Sequence, residues 1–98
     1  MNFRSLKQSL SEVFERIKAA VADGDLPNKH DVEQFVRLSR LFHAQAQDEW
    51  AGEVEDFCLL ADQLNQAARR KHLEEVIMLV DSLNDAQNYC HRSFRSRT

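Results

Sequence analysis

Gln87, Asn88, Tyr89, Cys90 and His91 stand in a row shortly before the end of this 98-residue chain. A thiol followed directly by an imidazole can hold a porphyrin, the sulfur adding to a vinyl group while the imidazole meets the iron. Covalent haem attachment asks for Cys-x-x-Cys-His, because positions i, i+3 and i+4 leave one face of a helix and reach both vinyl groups and the metal together. Here Gln87 holds the place of the first cysteine and can form no thioether. One thioether from Cys90 and one axial bond from His91 are what these residues offer haem. Without haem, Cys90 serves as a small apolar residue, and His91 as a cation near a helix C-terminus, where the dipole favours positive charge.

Other chemistry is thinner. Cys58 is the second thiol, and antiparallel pairing of the last two helices about Arg70-Lys71 sets Cys90 across from about Ala51, not Cys58. The two sulfurs then lie roughly 10 Å apart along the axis, too far for a disulfide or a shared metal. His43, late on its helix, has the place of a phosphotransfer histidine but lacks the lysine and glycine that should follow. His30 and His72 fall at helix starts or turns and are expected in solvent. The stretch "HLEEV" lacks the second histidine of a zinc-protease helix, and Glu74-Glu75 suit the first turn of a helix instead. No carboxylate pair and no nucleophile beside a base stands out, so an enzyme is not expected.

Four helices must position these residues. Phe3, Leu6, Leu10, Val13, Phe14, Ile17 and Val21 recur at steps of three and four, one stripe of a helix over 3–22. Gly24 follows, suited to the left-handed position just past a helix end. Asn28 behind Pro27 is the expected N-cap of a second helix, 29–46, with Asp31 near its positive end. That helix should bury Val32, Phe35, Val36, Leu38 or Ser39, Leu41 and Phe42. A third, 49–68, capped by Asp48, carries Trp50, Val54, Phe57, Cys58, Ala61, Leu64 and Ala68. A fourth, 72–95, carries Leu73, Val76, Ile77, Val80, Leu83, Gln87, Cys90 and Phe94. The links are short, so neighbours run antiparallel, and the fold class expected is all-α: a single-domain, up-down-up-down four-helix bundle.

Composition agrees. With one proline and two glycines, the chain has few breakers, and 43% apolar with 30% charged residues is ordinary for a globular chain. The formal charge is −3, and the basic groups at Arg69-Arg70-Lys71 and in the Arg92, Arg95, Arg97 tail lie where helices end. Such cations complement helix dipoles, and nucleic acid is not an expected partner. No run is apolar enough for a membrane span, and the start shows no secretory signal. The expected location is the cytoplasm as the sequence stands, or the periplasm if a signal peptide was removed.

Three stretches, "RIKAAVADGDLPNKHDVEQFVRLSRLF", "DEWAGEVEDFCLLADQLNQAARRKHLEEV" and "LVDSLNDAQNYCHRSFR", resemble the cytochrome c prime family in order and near spacing. The resemblance covers nearly the whole chain and is most specific from Tyr89 to Arg95. It implies a four-helix bundle, often a homodimer through helices one and two, that carries haem c near the end of helix four. Such proteins act in the periplasm in electron transfer or in binding gases such as nitric oxide. Carried over, Cys90 and His91 would hold haem, with Arg4 near a propionate and Leu6 or Lys7 on the distal side; the antiparallel pairing of the last two helices brings Trp50 within reach of His91, where the porphyrin edge would lie. Gln87 departs from that pattern. A bundle that gives up haem must fill the space, since a void costs about 24 cal/mol per Å³. Six Phe, one Trp and one Tyr are available, Trp50 first. The leading expectation is therefore a haem-free bundle without cofactor, a structural or interaction module for a protein partner not identified by the sequence. The alternative is a haem protein held by His91 and one Cys90 thioether.

Overall fold

The computed structural model describes the backbone of residues 3–45, 49 and 51–95, and the side chains of residues 4–45, 49 and 51–88. Four helices follow in order: α1 (Phe3–Ala22), α2 (Lys29–Ala44), α3 (Ala51–Arg69) and α4 (Leu73–Arg95). Each packs on its neighbour in sequence, and α4 closes back on α1 along the sparsest seam. The described helices make no close backbone approach across the diagonals α1–α3 and α2–α4. The result is a compact all-α four-helix bundle with extents of 38 × 24 × 19 Å. Its long axis is close to the roughly 35 Å expected of the longest helix.

Local chemistry accounts for the helix ends. Gly24 takes φ +79°, and the N–H groups of Asp23, Gly24 and Asp25 donate to carbonyls of the last turn of α1. The Asn28 side chain accepts from the His30 N–H at 2.8 Å, satisfying one of the orphan donors of α2. The end of α2 carries no such punctuation. It stops at Ala44 with Gln45 as C-cap, two residues before the end expected from the sequence. Asp48, the expected cap of α3, lies outside the described residues.

The α3–α4 turn holds a feature that composition did not signal. Lys71 has φ +59°, a left-handed conformation that a side chain makes costly by roughly 1–2 kcal/mol. Its N–H donates to the Ala68 carbonyl, and the His72 N–H reaches Ala67, closing α3 as a glycine would. Lys71→Gly should therefore stabilise the bundle, by up to about 1 kcal/mol once glycine's larger chain entropy is subtracted. A thermal melt of the variant checks this, with each kcal/mol raising Tm by roughly 4–8 °C.

The core follows the stripes. Leu6, Val13, Phe14 and Ile17 of α1, Val32, Phe35 and Leu38 of α2, Val54, Phe57, Ala61, Leu64 and Ala67 of α3, and Val76, Val80 and Leu83 of α4 are buried. Leu41 is a correction. It is 45% exposed, because it points past the core toward the outer edge of α2. Both Leu38 and Ser39 are buried instead, the hydroxyl of Ser39 donating to the Phe35 carbonyl at 2.8 Å. Val36 and Phe42 are only half-buried. Ala67, missing from the expected stripe of α3, is buried, as is Ala61.

Surface ion pairs tie neighbours together weakly. Arg16 meets Asp31 at 3.2 Å between α1 and α2, and Arg40 meets Asp62 at 3.1 Å between α2 and α3. Both arginines are more than half exposed, and pairs of this kind contribute about 0–1 kcal/mol. Burial of the apolar stripes holds the fold.

Candidate functional site

At the centre of the bundle three phenylalanine rings from three helices meet. Phe14 stacks on Phe35 with centroids 5.2 Å apart and planes 17° from parallel, and Phe35 meets Phe57 edge-on at 5.5 Å. Both geometries suit the ring quadrupole. Lys18 on α1 lies with its ammonium 5.0 Å from the Phe14 centroid, donates to the Asn84 side chain of α4 at 3.4 Å, and pairs with Glu15 at 2.8 Å. It is one of the few links across the α1–α4 seam.

The sequence motif lies away from the α3–α4 turn, on the last turns of α4. Gln87 is half-buried there. Residues 90 and 91 are helical in backbone, so the i and i+3 spacing from Gln87 is realised on one helix. The side chains of Cys90 and His91, and Trp50 altogether, lie outside the described residues. Arg4, in the first turn of α1, is exposed. As a donor set these residues do not fit two-thioether attachment, since Gln87 offers an amide where sulfur is needed.

The remaining candidates separate. His43 is exposed in the last turn of α2, and His30 and His72 are exposed as expected, His72 facing Glu75 at 3.5 Å. Among the described residues no group of His, Cys, Asp and Glu is placed to hold a metal ion. No described helix is long and apolar enough to cross a membrane.

Cys58 is half-buried, with Sγ 3.2 Å from the Ser39 carbonyl across the α2–α3 seam. Burial pushes its thiol up from 9.0 to about 11, with Asp62 and Glu55 adding to the rise and Arg40 opposing it. A thiol held neutral is a poor nucleophile. In a Cys90→Ala background, alkylation of native protein at pH 8 should be far slower than of urea-unfolded protein, the gap narrowing as pH approaches 11. The linked stability has the same sign. Because the folded value is the higher one, the contribution is complete below pH 9 and is lost as pH rises through about 11.

One arrangement was not visible in the sequence. At the turn end of the bundle, a cleft of about 560 Å³ is lined by Leu26 and Pro27 of the α1–α2 link, Lys29 and Val32 of α2, Asn65, Ala68 and Arg69 of α3, and Lys71 of the α3–α4 turn. The basic run 69–71 was the available signal, but its charges suit a helix terminus equally well.

No protein-family model, no curated protein and no solved structure matches this chain. The likeness to cytochrome c prime thus rests on the residues quoted for it and on the four-helix plan.

Proposed function

We propose that this chain is a haem-free bundle of cytochrome c prime-like plan, working as a structural or protein-interaction module in the cytoplasm and not as an enzyme. The observation that carries the reading is the Phe14–Phe35–Phe57 cluster, three buried rings from three helices filling the middle of the bundle. Gln87 supports it from the chemical side, because that residue removes half of the covalent attachment. Pairing into a homodimer through α1 and α2 belongs to the same reading, and sedimentation velocity over a range of concentrations tests it.

A second reading keeps haem. It is favoured by one observation, that residues 87, 90 and 91 share a continuous helix as an attachment motif requires. In it His91 would bind iron and Cys90 would hold the single thioether. The absorption spectrum of protein purified from cells with haem-attachment machinery decides between the two. A haem-free module gives no Soret band, whereas a Soret band that stays with the protein through acid-acetone extraction overturns the proposal.

A further inference from the structure

Three cations and no carboxylate line the cleft at the turn end of the bundle, in a chain whose formal charge is −3. Lys29, Arg69 and Lys71 stand around the cleft, whose apolar lining comes from Leu26, Pro27, Val32 and Ala68, with the Asn65 amide beside them. Pro27 and Val32 are themselves buried and Leu26 and Ala68 half-buried, so the lining is backed by the core. A volume near 560 Å³ lies within the roughly 300–1,000 Å³ range of ligand pockets.

The cations are available. Glu33 is the carboxylate facing Lys29 and Arg69, at 3.9 and 4.0 Å, distances too long for strong pairing, and both basic side chains are well exposed. Lys71 makes no ion pair among the described residues, and it occupies a left-handed position where glycine would cost less. The turn thus sacrifices stability while setting a cation at the rim. Glu33 stands beside the cleft and no carboxylate lines it, so the lining itself is positive where the whole chain is negative.

Lining chemistry narrows the occupant. No aromatic ring lines the cleft, so bases have no stacking platform, and nucleic acid is disfavoured. The apolar residues form a recess, not a protruding face that could enter a membrane. A recess for one apolar side chain, encircled by cations and an amide, is complementary to an acidic peptide.

We infer that the cleft between the start of α2 and the α3–α4 turn docks an acidic segment of a partner protein, one apolar side chain entering while flanking carboxylates meet Lys29, Arg69 and Lys71. The inference rests on the interaction-module reading and names the partner's chemistry.

Fluorescence anisotropy tests it with a labelled short peptide carrying one leucine between paired glutamates, titrated with the full chain at low salt. Saturable binding that weakens with added salt is expected, since the contacts are exposed charges. Lys71→Gly combined with Arg69→Gln should weaken it by about tenfold or more without lowering Tm. Replacing the peptide's leucine by alanine should weaken it several-fold. Absence of binding by the unmodified chain, equal affinity of the double variant, or indifference to the leucine would overturn the inference. Failure here leaves the absence of a Soret band untouched, and a Soret band leaves peptide binding to be read on its own, so the two proposals fail separately.

Discussion

Phe35→Ala should cost about 3–5 kcal/mol, the largest loss expected of any single substitution among the residues described. Phe35 is fully buried and is the middle ring of three, touching Phe14 face-on and Phe57 by an edge. Its removal takes away the transfer energy of a whole aromatic side chain and both ring contacts. It also leaves a hole that α1, α2 and α3 cannot close together without breaking other packing. A domain of this size is stable by only about 5–15 kcal/mol, so the variant should lose roughly a fifth or more of its margin. Thermal melting followed by circular dichroism should show Tm falling by at least about 12 °C. A fall of only a degree or two would mean that the rings do not carry the core.

The second large effect separates the two faces of one helix. Leu64 and Leu59 sit five residues apart on α3, the first fully buried and the second 54% exposed. Leu64→Ala should cost about 2–5 kcal/mol through lost burial and a residual void. Leu59→Ala, on the solvent side, should fall within about 0.5 kcal/mol of the parent. Urea titrations of both variants, compared at equal slope, give the difference directly. Similar losses at the two sites would contradict the rotation of α3 about its axis, and with it the placement of Cys58 against Ser39.

Much of this architecture was legible because the signals were local. The stripe from Leu6 to Val21 with Gly24 behind it delimits α1, and Asn28 after Pro27 starts α2 by a side-chain bond that spacing alone foretells. The junction after α2 was harder. "HAQAQDE" holds no glycine or proline, so neither the end of α2 at Ala44 nor the start of α3 at Ala51 is written in breaker residues. Leu41 misled because a helix of this period offers it on the edge of the stripe, and burial there depends on how closely a neighbour lies alongside. Lys71 gave no warning of its backbone conformation, since glycine and asparagine are the usual residues at such a position.

The two site regions differ in the same way. Gln87, Cys90 and His91 lie close in sequence, so their chemistry could be weighed before any fold was known. The basic cleft draws on residues 26–32 and 65–71, which only the antiparallel return of α3 along α2 brings together. Its cations were seen but read one helix at a time. Aromatic filling of the core was expected with Trp50 in the first place. Phe14, Phe35 and Phe57 form a ring cluster among the described residues, and Trp50 falls outside them.

The haem-free reading proposed here leaves no room for a macrocycle beside His91, and free haemin tests that most directly. Anything that binds the folded state alone raises Tm by mass action, by an amount worth about 2.7 kcal/mol when the ligand stands at a hundred times its dissociation constant. Melting of the purified chain should therefore be unchanged across a haemin titration, with no Soret shift beyond that of haemin in buffer. A Tm that climbs with haemin, together with a shifted Soret band that disappears in His91→Ala, would contradict the closed core.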